Sequence, residues 1–283
     1  MPTLHDQPTC PMSAHRPAPH GRYAQRYTTP AEIEAARTQR DARAIVSRAR
    51  LGGVVRIATM GLVLALALRS LVFEPFTITS PSMQPGLLIG DYLFAAKWPY
   101  GYNRYSLPLA LPLFDGRWPG GRVPKRGDVV VFKSPADNRT NFIKRVIGLP
   151  GDSVALVDGQ LVINGVSVAR ARVDKTSNQT TKYYRETLGE RSYTVMYMPH
   201  NSALDNYGPV NVPADHYFLL GDNRDNSADS RLALIAGGIG MVPASNLVGR
   251  ADRVFFSIDS DALRQSPPNW RNVVRTARIG AQF

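Results

Sequence analysis

NFIKRVIGLPGDSVALVDGQLVING, the stretch from Asn141 to Gly165, decides the fold. Asn141–Ile147 alternates as a strand does, with Phe142, Lys144 and Val146 on one face and Ile143, Arg145 and Ile147 on the other. Val154–Val157 and Leu161–Ile163 follow as short apolar runs, and Asp158-Gly159 and Asn164-Gly165 are strong tight-turn signals beside them. Outward from this stretch, Asp91–Lys97, Asp128–Lys133, Ser192–Met198, Tyr217–Leu220 and Val248–Ser257 share the same richness in Val, Ile, Tyr and Phe. Convincing helices are lacking after residue 74, and no internal repeat is visible. The class expected is mostly β, with a barrel-like antiparallel sheet as its core. Residues 75–165 and 215–260 form that β core, 166–214 a more polar, smaller inserted lobe, and 261–283 a C-terminal tail. The Pro-, Gly- and Tyr-dense stretch 98–122 is a long loop whose apolar Leu107–Phe114 has two equal readings, insertion into a bilayer or packing on the sheet.

Upstream the pattern changes. Residues 1–28 are rich in Pro, His and Arg without periodicity and read as disordered. Thr29-Pro30-Ala31-Glu32 is a helix start, with Thr29 as cap, Pro30 in the first turn and Glu32 placed for a capping box. The stretch to Arg50 stays helical and completes a cytoplasmic segment, 1–50. Residues 51–74 then form an N-terminal transmembrane anchor. Its apolar run, Val54–Phe73, is about 30 Å long as a helix, enough to cross a bilayer core. A buried core helix and a cleaved secretory signal are the alternatives, and the second fits poorly because some fifty residues precede the run. Arg37, Arg40, Arg43, Arg48 and Arg50 place the N-terminus in the cytoplasm, so everything after Phe73 lies on the outer face.

A net charge of +12 suits nucleic acid, anionic lipid or plain solubility and does not choose among them. Cys10 is the single cysteine, which rules out an intramolecular disulfide and a thiolate metal cluster. Three of the five histidines, His5, His15 and His20, lie in the N-terminal tail, which argues against a His-rich metal site in the folded part.

Three short stretches carry chemistry. Ser80-Pro81-Ser82-Met83-Gln84-Pro85 is a Ser-rich turn, and the nine residues from Phe73 to Ser82 span at most about 30 Å, which keeps Ser82 near the bilayer surface. Alone it is weak evidence, since most such serines satisfy local backbone groups. Lys144 is bracketed by apolar neighbours along its strand. It can act as a base only when neutral, so its pKa must fall from about 10.4 to roughly 7–8, as burial among apolar groups brings about. A lysine reaching off a sheet edge is the commoner case. Gly221–Arg231 packs charges and short hydroxyls behind an apolar strand. A calcium loop is excluded there, because Ser230 stands where Gly is needed and Ala236 where Glu is needed. A solvated turn held by Asp–Arg pairs describes Asp225, Asp229 and Arg231 well.

Together these stretches closely resemble bacterial type I signal peptidases. Ser80–Pro85, Arg126–Phe132, Lys144–Asp152 and Gly221–Arg231 stand in that family's order, and the likeness covers roughly residues 54–165 and 215–257. The resemblance implies a membrane-bound endopeptidase that removes N-terminal signal peptides from exported preproteins after small residues, in Ala-x-Ala type sites. It implies Ser82 as nucleophile, Lys144 as general base, the Ser82 N–H and Ser80 hydroxyl as oxyanion hole, and Ser227 as the group orienting Lys144. Ile78, Met83, Leu87, Phe142 and Ile143 match substrate-pocket positions, and Asp222, Arg224, Asp225, Asp229 and Arg231 form a structural loop. The enzyme it implies sits in the inner (plasma) membrane by a single pass, contacts phospholipid, uses no metal or cofactor and binds no nucleic acid. Pro81 stands where the family commonly has Gly, Gly86 replaces a small hydroxyl residue, and Leu232–Gly240 is longer and lacks an aromatic-Gly pair; these departures bear on pocket shape.

Other readings stay in view. A triad through His200 or His216 has no spacing to support it. A self-cleaving repressor-type Ser–Lys protease would carry a helix-turn-helix and no membrane segment. A membrane-tethered binding module accounts for the arginines beside the apolar run. A catalytically dead homologue is disfavoured by the presence of Ser80, Ser82, Lys144 and Ser227 together.

Overall fold

The computed structural model describes residues 29–106, 116–117, 122–173, 181–198, 202–264 and 273–283. The expectations for residues 1–28 and for Leu107–Phe114 lie outside them. The chain forms two units, residues 1–60 and 61–283.

Helix α1 (Pro30–Leu71) begins in the first unit. The capping box is formed: Thr29 N–H donates to Glu32 Oε2 at 2.8 Å, and Glu32 N–H to Thr29 Oγ1 at 3.4 Å. The window Arg50–Ala67 has mean hydropathy 1.6 and is exposed along its length, long and apolar enough to cross a membrane. The helix stops where Phe73-Glu74-Pro75 turns the chain into a strand, because Pro75 has no N–H to continue a helical ladder.

The second unit carries strands β1 (Phe73–Thr77), β2 (Asp91–Ala96), β3 (Val129–Lys133), β4 (Asn141–Gly148), β5 (Ser153–Val157), β6 (Gln160–Ile163) and β7 (Val166–Ser167). They continue as β8 (Ala169–Val173), β9 (Lys182–Leu188), β10 (Arg191–Tyr197), β11 (Tyr207–Asn211), β12 (His216–Leu220), β13 (Val242–Pro243) and β14 (Leu247–Ser257), followed by the short α2 (Ser260–Arg264). Seven strands make the main sheet in the order β1-β2-β14-β3-β4-β12-β13. Its named pairings are antiparallel, and among the described residues it stays open, with β1 and β13 as edges. Register shifts along β14 bend it. Pro75 is accommodated because β1 is an edge strand.

The expected mostly β class is what the described residues form. Both turn signals are realised: Asp158 and Gly159 have φ of 49° and 71°, Asn164 and Gly165 52° and 78°, and each pair closes a two-residue hairpin loop.

The smaller sheets, β11-β5-β6-β7 and β10-β9-β8, begin at Ser153. Val154, Leu156 and Leu161 of the β5–β6 hairpin share one apolar cluster with Val195 and Tyr197 on one side and Ile147, Phe218 and Leu220 of the main sheet on the other. Residues 273–283, expected to belong to a tail, pack back on the sheet: Gly280 N–H donates to Val254 O at 2.8 Å, and Val254 N–H to Ala281 O at 3.1 Å.

Candidate active site

Ser80 has extended backbone and caps a 3-10 turn, Pro81–Met83. Pro81 occupies the first position, where a donor would be unused anyway, so Gly is not needed there. Ser82 N–H donates to Ser80 Oγ at 3.3 Å. From the other side, Asn223 N–H donates to the Ser82 carbonyl at 3.1 Å and Asn223 Nδ2 to the Pro81 carbonyl at 3.3 Å. Met83 and Leu87 anchor the turn into the core with Leu93, Val129 and Val254.

Strand β4 supplies the partner. Lys144 Nζ donates to Ser82 Oγ at 2.7 Å and to the Ile143 carbonyl at 3.2 Å, with the Phe142 ring 5.8 Å away. Lys144 is 2% and Ser82 6% exposed, so the pair is dry on one side and opens to the cleft on the other. Burial pushes the Lys144 pKa down to about 8, against the weaker opposing pull of Asp229 and Asp222. Arg145, the next residue, points to the opposite face and meets a carboxylate: its Nε and Nη2 donate to Asp222 at 2.7 and 2.6 Å, and its guanidinium lies 4.0 Å from the Tyr193 ring centroid.

A cleft of about 410 Å³ opens beside the pair, lined by Phe76, Ile78, Phe142 and Ile143 as well as Ser80, Ser82 and Lys144. Of the expected pocket residues, Ile78, Phe142 and Ile143 face it. Met83 and Leu87 do not: both are fully buried beneath the turn. Phe76, Thr77, Thr79, Val131, Thr140, Asn141, Asn226 and Ala228 line it without having been picked out. Residues 76 to 80 could have been found as one extended segment running into the nucleophile turn.

Ser227 lies against Ser82. A Cβ on Gly221 would fall 2.2 Å from Ser227 Oγ and 2.5 Å from the Ser82 carbonyl oxygen, so this approach requires glycine. The hydroxyl of Ser227 is buried without a hydrogen-bond partner, and the expected bond to Lys144 is not formed.

Most of the Gly221–Arg231 loop is buried, not a solvated turn: Asp222, Arg224, Asp229 and Arg231 are all almost inaccessible, while Asn226 and Ala228 are exposed. Arg231 pairs with Asp229 at 2.8 and 2.9 Å, and Asp229 accepts the Gly221 N–H at 3.2 Å. Arg224 forms a two-pronged pair with Glu186 and donates to Tyr197 Oη at 2.9 Å. Asp225 bonds the Met198 N–H at 2.6 Å instead of an arginine, and burial raises its pKa. Glu186, fully buried, went unnoticed because it stands in the polar run Lys182–Leu188. His216 Nδ1 is engaged with the Ala214 carbonyl at 2.8 Å, and His200 lies outside the described residues.

A serine hydroxyl held on a buried amine at the floor of an apolar cleft is the kind of pairing by which peptidases activate a nucleophile. The signal peptidase, peptidase S26, family model matches residues 51–256. Signal peptidase I of Rickettsia akari (strain Hartford) is 40% identical over 239 residues, 76% of this chain and 87% of that protein. That of Rickettsia typhi (strain ATCC VR-144 / Wilmington) is 40% identical over 244 residues, 78% and 89% of the two chains. A crystal structure of a signal peptidase I from Enterococcus faecalis V583 is 31% identical, covering 46% of this chain and 97% of that one, with a TM-score of 0.29. The chain belongs to the signal peptidase, peptidase S26, family. By that membership it is a serine endopeptidase.

Proposed function

We propose that this chain is a membrane-anchored endopeptidase that removes signal peptides from preproteins, with Ser82 as nucleophile and Lys144 as general base. The observation that carries the reading is the 2.7 Å contact between a buried Lys144 amine and the Ser82 hydroxyl. Neutral Lys144 takes the Ser82 proton as Oγ attacks the scissile carbonyl, and the protonated amine returns that proton to the leaving nitrogen. The acyl-enzyme is then hydrolysed by a water that gives its proton to Lys144 as its oxygen bonds the acyl carbon; the C–Oγ bond breaks and Lys144 passes that proton to Ser82 Oγ. The Ser82 N–H and Ser80 hydroxyl stabilise the oxyanion; in the free enzyme they are paired with each other, and the incoming oxygen takes the N–H from Ser80. Ser227, unpartnered in the free enzyme, engages the Lys144 amine in the reacting complex. Ile78, Phe142 and Ile143 give the cleft small apolar subsites, which suits Ala-x-Ala type sites. The segment Arg50–Ala67 anchors the chain by a single pass through the inner membrane, with residues beyond it on the outer face near phospholipid. No cofactor and no nucleic acid enter this scheme.

Cleavage of an Ala-x-Ala precursor by detergent-purified protein tests it. Cutting after the second Ala is expected, and it should vanish in Ser82→Ala and in Lys144→Ala. Cutting that survives Lys144→Ala would keep the peptidase and discard the base; no cutting by the intact protein in detergent or lipid would remove the reading. The rate should rise with pH through about 8 as Lys144 gives up its proton. A flat profile from about pH 5 to 9 would exclude a lysine base.

A further inference from the structure

Residues 273–283 have no part in the chemistry above, yet they are tied to the stretch that begins with Ser82. Arg278 Nε donates to both oxygens of Asp91 at 2.8 and 3.0 Å, and its Nη2 donates to Asp91 Oδ2 at 2.5 Å and to the Gly86 carbonyl at 2.8 Å. Asp91 is fully buried, and its carboxylate also accepts the Leu88 N–H at 2.8 Å and the Ser257 hydroxyl at 2.7 Å. Arg275 adds a bond to the Ile89 carbonyl at 2.6 Å. Packing tells the same story. Ala281 and Phe283 rest on the cluster holding Ile78, Met83 and Leu87, and Phe283 lines a cavity of about 250 Å³ with Pro85 and Gly86. Met83 is the residue directly after the nucleophile, so its side chain and the Gly86 carbonyl are the handles by which the turn is gripped from behind. Asn223 grips it from the front.

We infer that Arg278 and Phe283 are positioning residues for the nucleophile, fixing the Ser82–Asp91 stretch so that the Ser82 hydroxyl stays on Lys144 and its N–H faces the cleft. The inference rests on the reading of Ser82 as nucleophile. An ångström of misplacement at a reacting atom is enough to cost on the order of a hundredfold in rate, so a partial loosening of this grip has a large kinetic effect. Arginine is required because its fork reaches a carboxylate and a carbonyl together; the single ammonium of lysine does not.

The test measures kcat, KM, the pH profile and the thermal midpoint of the full chain in detergent, on the Ala-x-Ala precursor, for Arg278→Lys, Arg278→Ala and Phe283→Ala. Arg278→Lys and Phe283→Ala are expected to stay folded, with kcat down by about tenfold or more, KM within about twofold, and the acid limb unmoved because the burial of Lys144 is untouched. A kcat within about twofold of wild type in both folded variants overturns the inference. A loss of rate with the acid limb moved upward also overturns it, since that reports general loosening around Lys144. Should Arg278→Ala fail to fold for want of a partner to Asp91, the other two variants decide. Ser82→Ala is run alongside: activity that survives there removes the nucleophile itself, whereas activity lost only there leaves the nucleophile and removes the positioning role.

Discussion

Lys144 and Arg145 are neighbours on one strand with opposite fates. The pleat sends Arg145 to a carboxylate and Lys144 to a hydroxyl, so the arginine keeps its charge while burial works against the ammonium. A lysine whose pKa drops from 10.5 to about 8 on folding binds its proton less tightly when folded. Its burial therefore costs on the order of 3 kcal/mol at all pH values below about 8, and the cost is relieved as pH rises from there toward the unfolded value. Lys144→Met is accordingly expected to be inactive yet more stable at pH 7 by about 2–3 kcal/mol, with the gain shrinking toward pH 10. Urea unfolding at several pH values measures this, and an inactive variant less stable than wild type would contradict it. Ser227→Ala gives a complementary prediction. Its buried hydroxyl has no partner, so the variant should unfold at the same or slightly higher urea concentration while kcat falls about tenfold or more. An unchanged kcat would leave Ser227 a packing residue only. The strand alternation around Lys144 made its apolar bracketing readable from residue order alone. The orphaned Ser227 hydroxyl was not readable, because it follows from the close approach that Gly221 allows.

The loop Gly221–Arg231 behaves as a frame. Its two arginines, Asp222 and Asp229 are buried and paired, and Arg224 reaches across to Glu186 on β9. Breaking a buried pair from one side strands the remaining charge, a loss of about 3–5 kcal/mol. Glu186→Gln is therefore expected to lower stability by that order and to reduce activity through the loop that carries Gly221, Asn223 and Ser227. Denaturant unfolding with parallel kinetics checks both; a loss below about 1 kcal/mol would mean that Arg224 finds another partner. The motif was plain in the sequence, but its partner was not, since a lone Glu on a polar strand has no local mark of burial. The β5–β6 hairpin shows the same limit. Its turns were exact in position, yet alternation says only that one face is covered, not by which strand, and the hairpin pairs with β11. Residues 273–283 dock through two arginines and two apolar side chains without periodicity, which leaves no local mark of docking in the sequence.

At the scale of the whole molecule, the question is which side of a membrane each part occupies. The window Arg50–Ala67 exposes Leu62, Val63, Leu64 and Leu66 by more than half, a continuous apolar surface that water does not tolerate well. Under the proposed topology that surface is buried in the bilayer, and the arginines before it hold the N-terminus in the cytoplasm. The chain carries its own reporter, since Cys10 is its one cysteine and lies ahead of the apolar helix. A membrane-impermeant maleimide added to spheroplasts is expected to leave Cys10 unlabelled until the inner membrane is permeabilised. A cysteine introduced at the exposed Ile235, in a Cys10→Ala background, is expected to label at once. The opposite pattern would put the Ser82–Lys144 cleft in the cytoplasm, where it could not meet a preprotein that has already crossed. Equal labelling of both sites would mean that the apolar helix does not span. Because the substitutions touch neither the cleft nor the turn that holds Ser82, precursor cleavage by the same variants should be unchanged, so topology and chemistry can be read from one preparation.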